Sequence, residues 1–193
     1  KLALAHNGNL VNAVELRQHL IQREANFVSS TDSEMIALTI ADEVNRGKNW
    51  IQGAVNAFKI CEGAYSLAIA TPDGLMGARD QRYVLSSETC GLDIIGAEYV
   101  RDVQPGELVW ITDSGVASVT WAKEADKKLC IFEMIYFARP DSVMHDETLY
   151  SYRIRLGRQL ARESFVDADL VIGVPDSGIP AAIGFSRESG LSY

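Results

Sequence analysis

The hydrophobic pattern of this chain changes period twice, and any fold must accommodate both changes. Up to about residue 61 the spacing is helical. Val11, Val14, Leu16 and Leu20–Ile21 predict a helix over 11–24. Met35, Ile36, Leu38, Ile40 and Val44 predict a second, opened by Thr31-Asp32-Ser33-Glu34 and ended by Asn45-Arg46-Gly47, and a third runs from Trp50 to Cys61. Phe27 to Ser30 between them reads as a short strand or loop. From residue 64 the rhythm is that of strands. Ala64–Ala70 reads as a buried strand, Thr71-Pro72-Asp73-Gly74 as a turn and Leu75–Ala78 as its hairpin partner. Tyr83–Leu85, Glu107–Ile111 and Val116–Trp121 are further strands, with a short helix over 88–95 among them. The last change follows the charged stretch Lys123–Lys128. Strand 130–137, helix 147–163, strand 170–174 and helix 179–189 then alternate. Helices followed by antiparallel strands predict an α+β sandwich of layers, and strand–helix alternation predicts the opening of a parallel α/β sheet. Two domains result, 1–124 and 125–193, with the charged stretch as linker.

Composition narrows the function. With 47% apolar and 23% charged residues, the 193 residues suffice for a sizeable core. A net charge of −8 works against electrostatic nucleic-acid binding. No apolar run approaches the roughly 20 residues of a membrane span. Cys61, Cys90 and Cys130 are an odd number and widely spaced, which fits a reducing cytosol, or a plastid in a plant, better than a disulfide framework.

Three short segments carry chemistry. The apolar run Leu2–Ala5 stops at His6-Asn7-Gly8-Asn9, and Asn7-Gly8 reads as a sharp turn. Such a turn can aim the Gly8 N–H and the Asn7 amide at one spot, which is what an oxyanion hole requires. A bare Asn-Gly is more often an ordinary connecting turn. Thr31 with Glu34 reads as a capping box, and Asp32 as an acid suited to a helix start; its carboxylate can also meet a cationic amino group. Val171-Ile172-Gly173-Val174-Pro175-Asp176-Ser177-Gly178 takes an apolar strand into a helix, a place where phosphates bind and where a plain capped turn would look the same.

The string His6-Asn7-Gly8-Asn9-Leu10-Val11-Asn12, with Ser29 to Glu34 about twenty residues on, closely resembles the glutamine-binding segments of class II (N-terminal-nucleophile) glutamine amidotransferases. Together with Glu62–Leu67, Ser86–Asp93, Phe137–Ser142 and Val174–Gly178, it is most similar to the amidophosphoribosyltransferase family. That resemblance covers nearly the whole chain. It implies an αββα sandwich domain followed by the first part of a phosphoribosyltransferase domain. It implies glutamine hydrolysis by a cysteine thiolate, with ammonia passed on to phosphoribosyl pyrophosphate to give phosphoribosylamine, the first step of purine synthesis. Asn7 and Gly8 correspond to the oxyanion hole, Asp32 to the contact with the glutamine α-ammonium, and Ser177 to a hydroxyl that helps hold Mg2+ on the phosphoribosyl pyrophosphate. Cys130 stands where some branches place the first ligand of a [4Fe–4S] cluster. Cys90 reads as a buried core thiol. The family also implies a cytoplasmic homo-oligomer with no nucleic-acid or membrane partner.

Three departures accompany the match. The nucleophilic cysteine, and the arginine that binds the glutamine carboxylate, are expected before Lys1. A Pro-x-Gly-x-Arg-Pro stretch should follow Asp80, where Gln81-Arg82-Tyr83 stands instead. The acidic loop that grips the ribose and phosphate is expected beyond Tyr193. A fragment, inactive alone, is the economical explanation. Another class II amidotransferase, such as glucosamine-6-phosphate or asparagine synthetase, would account for residues 1–121 but not for Arg139-Pro140-Asp141-Ser142 or the 174–178 loop. A non-catalytic nucleotide-sensing or scaffold protein on the same folds is the remaining alternative.

Overall fold

The computed structural model describes residues 1–75, 83–122 and 129–193. The chain forms two compact units, one of Lys1–Leu85 with Asp102–Asp126, the other of Ser86–Arg101 with Lys127–Tyr193. The architecture is mixed α/β.

In the first unit, β1 (Ala3–Leu10) pairs antiparallel with β2 (Gly63–Thr71), and β2 with the short β3 (Gly74–Leu75). Three helices follow β1: α1 (Ala13–Ile21), α2 (Asp32–Asn45) and α3 (Trp50–Ile60). β4 (Glu107–Thr112) and β5 (Gly115–Thr120) form a separate hairpin. The helical spacing read from the sequence is what buries Leu16, Met35, Ile36, Ile40, Ala57 and Phe58 together with Leu10, Ile69 and Leu108. Period-two alternation assigns the two faces of β1–β2. Leu4 and His6 face the helices opposite Ile69 and Leu67, whereas Ala3, Ala5 and Asn7 share the other face with Ala68 and Ser66.

Asn7-Gly8 is not a turn. β1 runs straight through it, with Asn7 opposite Ser66 and Gly8 opposite Tyr65. Gly8 has φ +143°, and a Cβ there would lie 2.2 Å from the Ala64 carbonyl oxygen. Glycine therefore serves here to let two backbones approach, not to reverse the chain. The reversal comes after Leu10. Asn12 holds it by accepting from the Glu62 N–H (3.0 Å) and donating to the Ile60 carbonyl (2.8 Å).

The second unit contains α4 (Thr89–Ile94), the two-residue pair β6 (Val143–Met144) and β7 (Glu147–Thr148), α5 (Leu149–Glu163) and α6 (Gly178–Ser189). α5 and α6 touch backbone to backbone. A Cβ on Gly157 would sit 1.8 Å from the Ala181 carbonyl oxygen, and one on Gly184 2.1 Å from that of Ile154.

Three predicted strands are absent. Tyr83–Leu85 pairs with nothing among the described residues. Residues 131–137 are helical, with a π-helix over Glu133–Phe137. The buried pair is Met134 and Ala138, one helical turn apart, so the apolar run is a helix with one buried stripe. Arg153, 2% exposed, fixes it by donating to the carbonyls of Met134 (2.8 Å), Ala138 (2.8 Å) and Glu133 (3.3 Å). Over 170–174 only a single parallel bridge forms, Leu170 to Ser192, and Ile172 and Val174 are exposed. A strand exists only through its hydrogen-bonded neighbours, and among the described residues this one has a single such contact. The predicted hairpin partner beyond Leu75 and the charged linker lie outside the described residues.

Candidate functional site

β1 is an edge strand among the described residues, and its free edge has a definite chemistry. In an antiparallel ladder, alternate residues direct their N–H groups toward the partner strand. Val11 donates to the Glu62 carbonyl on the β2 side (2.8 Å), so the odd-numbered residues face β2. The even-numbered N–H groups of Gly8 and Leu10 therefore point outward along the same edge. The Leu10 N–H is taken by an Asp32 carboxylate oxygen at 2.7 Å. The other Asp32 oxygen has no hydrogen-bond partner among the described residues. Gly8 and Leu10 are two residues apart, about 7 Å along an extended strand.

Asp32 is the first residue of α2, where the helix dipole favours a carboxylate. Thr31 caps the helix through its hydroxyl, which accepts the Glu34 N–H at 3.3 Å. The capping box is only half formed. The Glu34 carboxylate reaches past Thr31 to the N–H groups of Val28 and Ser29, both at 2.7 Å, and to the Ser29 hydroxyl at 2.8 Å. These donors, the Val28 N–H first, hold the Glu34 carboxyl below its ordinary range. Arg17 completes the loop by donating to the Ser29 carbonyl (3.0 Å) while its guanidinium lies 4.2 Å from the Phe27 ring centroid. The approach to Asp32 is thus a tied loop that exposes Val28.

The Asn7 side chain is exposed on the face of the sheet away from the helices, with no hydrogen-bond partner among the described residues. It is offset from the Gly8 N–H by a single residue. Asn7, Gly8 and Asp32 therefore gather at one end of β1, with Asp32 attached two residues beyond Gly8.

The other sequence candidates lie in the second unit. Ser177 precedes α6, half-buried, with no hydrogen bond from its hydroxyl to the helix. The Val174 carbonyl accepts from the Gly178 N–H (3.1 Å), and the Pro175–Asp176 peptide is cis. Arg139 clasps Asp141 through two bonds of 3.0 and 2.9 Å, which raises the Arg139 pKa and lowers that of Asp141. Cys130 is exposed, just before the helix at 131–137. Cys61 and Cys90 are buried thiols, and desolvation pushes Cys61 up to about 11. Among the described residues no three His, Cys, Asp or Glu side chains are grouped to hold a metal. A magnesium ion takes six oxygens and a four-iron cluster four thiolates. Ser177 and Cys130 are one donor each, so the residues present do not by themselves make either site.

Two residues with central roles in these networks lie in family-like segments of the sequence but had no role of their own there. Glu88 precedes α4 but does not cap it. Its carboxylate accepts from the Arg139 N–H (2.6 Å) and the Ser142 hydroxyl (2.8 Å), anchoring the Arg139–Ser142 turn. His6 lies between Leu4 and Gly8 on the helix-facing side, its Nδ1 3.3 Å from the Ser33 hydroxyl.

Residues 1–85 match a family model described as a glutamine amidotransferase domain. The whole chain aligns with curated proteins named amidophosphoribosyltransferase. That of Synechocystis is 60% identical over 209 aligned positions and that of Bacillus subtilis 41% over 204. The chain spans 42% and 43% of those relatives' lengths. Among solved structures, a glutamine phosphoribosylpyrophosphate amidotransferase from B. subtilis complexed with ADP and GMP superposes on the whole chain with TM-score 0.89 at 40% identity. The chain covers 45% of that protein. A second structure, described as the allosteric regulatory enzyme of purine biosynthesis, gives the same score over 44% of its length.

Proposed function

We propose that this chain, which belongs to the amidophosphoribosyltransferase family along its whole length, supplies the glutamine-orienting part of an enzyme that transfers the amide nitrogen of glutamine to phosphoribosyl pyrophosphate. The observation that supports the reading is the free edge of β1. An oxyanion donor, the Gly8 N–H, and the Leu10 N–H that holds the Asp32 carboxylate lie along that edge, two residues and about 7 Å apart.

The chemistry follows from that placement. A cysteine thiolate, implied by the family, attacks the amide carbon, and the carbonyl electron pair moves onto oxygen. The Gly8 N–H and the Asn7 amide donate to this oxyanion. The proton that the cysteine's own α-amine, the base implied by the family, takes from the thiol passes to the leaving nitrogen, and collapse re-forms the carbonyl, expels ammonia and leaves a thioester, which water opens to glutamate. Asp32 holds the α-ammonium throughout, so the amide arrives in register with the donors. Ammonia then displaces pyrophosphate from phosphoribosyl pyrophosphate in a transferase domain that residues 125–193 begin. A magnesium ion on the pyrophosphate would take the Ser177 hydroxyl as one of its oxygens, and a [4Fe–4S] cluster would take Cys130 as one thiolate. Neither enters the steps above. Among the described residues no helix is long and apolar enough to cross a membrane.

The test is Asn7→Ala in the full-length enzyme, assayed with glutamine and with free ammonia. Loss of one oxyanion donor is expected to lower the glutamine-supported rate by about 10²–10³ and to spare the ammonia-supported rate. Equal losses with the two nitrogen sources would remove the assignment.

A further inference from the structure

We propose that His6 is a positioning residue for glutamine hydrolysis: through Ser33 it ties the strand that carries Asn7 and Gly8 to the helix that carries Asp32. The proposal rests on the reading of the site given above.

Two side-chain bonds join β1 to the start of α2, and they bracket the reactive dipeptide. On one side the Leu10 N–H meets Asp32 at 2.7 Å; on the other, His6 Nδ1 meets the Ser33 hydroxyl at 3.3 Å. Gly8, between them, is the softest link in the strand, because it has no side chain to pack. A tie on one side alone would leave the direction of its N–H free to drift. Ties on both sides, to adjacent residues of one helix turn, fix the oxyanion donor and the ammonium partner to a common frame.

The second observation is what His6 gives up. Its Nε2 is buried and has no hydrogen-bond partner among the described residues. Burying an unpaired polar atom is destabilising. The neighbouring positions on this face are Leu4, Leu67 and Ile69, so a leucine at 6 would continue the apolar pattern and remove that loss. What the imidazole provides and a leucine does not is the bond to Ser33. A polar residue kept against the packing pattern, beside the candidate donors and bonded to the neighbour of Asp32, is placed for function more than for stability.

The experiment uses the full-length enzyme with His6→Leu, His6→Asn, Ser33→Ala and the His6→Leu/Ser33→Ala pair. Loss of the bond is expected to lower kcat with glutamine about tenfold in His6→Leu and in Ser33→Ala, with KM little changed. The pair should fall no further than either single variant, because both remove one interaction. His6→Asn, whose amide reaches where Nδ1 sits, should recover most of the rate. The Tm of His6→Leu should hold or rise. A merely structural histidine predicts the reverse: a lower Tm, parallel losses with glutamine and ammonia, and no recovery with asparagine. Multiplying effects in the pair, or a wild-type glutamine kcat in both single variants, would overturn the proposal. Asn7→Ala, run alongside, separates the two claims. If it is impaired on glutamine while the His6 and Ser33 variants are normal, the positioning role fails and the site stands. If it too is normal, the site itself fails.

Discussion

Gly8→Ala should disable glutamine use while leaving the fold largely in place. An added Cβ would meet the Ala64 carbonyl oxygen at 2.2 Å and Tyr65 Cα at 2.6 Å, both backbone atoms that cannot swing aside. Ordinary contact begins at 3.4 Å, so β1 must retreat from β2 by about 1 Å at this residue. The φ of +143° adds strain of about 1–3 kcal/mol for any L side chain. The unit should survive that loss with a Tm lower by several degrees. Catalysis should not, because a displacement of about 1 Å at a positioned group can cost about 10²-fold in rate. The assay is initial rate with saturating glutamine and with ammonia, alongside calorimetric Tm. A Gly8→Ala enzyme with a wild-type glutamine kcat, or one that loses both nitrogen sources in proportion, would refute the reasoning from the close β1–β2 approach.

Asp32→Asn should raise the KM for glutamine more than Asn7→Ala does, while Tm changes little, because the asparagine oxygen can still accept the Leu10 N–H; an unchanged KM with a lower Tm would favour a plain capping role. Gly157→Ala should lower the denaturant midpoint of the second unit, since its Cβ would fall 1.8 Å from the Ala181 carbonyl oxygen and overpacking typically costs about 1–3 kcal/mol; a wild-type midpoint would contradict the close α5–α6 contact. The Glu34 carboxyl is held below its unfolded value of about 4.3, so its hold on the 28–29 loop is complete above that pH and is lost as pH falls through the lower, folded value. Once the intrinsic effect of pH on exchange is corrected for, protection of the Val28 and Ser29 amides should weaken on that acidification, and Glu34→Gln should flatten the response; protection unchanged by pH in the parent would refute it.

Most of the architecture could be read from period and punctuation. α1, α2, α3, α5 and α6 fall within a few residues of their predicted spans, because amphipathic helices bury the stripe they display. The failures have physical causes. Asn7-Gly8 carries the composition of a turn, but local composition cannot show that Tyr65 lies opposite and requires a residue without a side chain. Cys130–Phe137 is apolar enough for a buried strand, but residues 131–137 are helical with one buried stripe, and the distant Arg153 gathers three carbonyls there. The candidate site was legible as residue types in order. What could not be read was which N–H groups face outward, since that depends on strand register, or that Ser33 reaches back to His6 across 27 positions.

The path of the backbone between the two units has a practical consequence for anyone dissecting this protein. The stretch Ser86–Arg101 departs after β3, joins the second unit, where Glu88 receives Arg139 and Ser142, and precedes the return at Asp102. The peptide thus crosses from unit to unit at 85–86 and at 101–102, and residues 129–193 belong again to the second unit. Cutting once, at the charged stretch, would give a front piece that keeps residues 86–101 without their partner and a back piece deprived of Glu88. Ribosomal synthesis meets the same order: residues 86–101 emerge before the turn that Glu88 anchors has been made. Isolated halves that behave well should therefore come from designs that graft 86–101 onto the later segment and rejoin Leu85 to Asp102 through a connector.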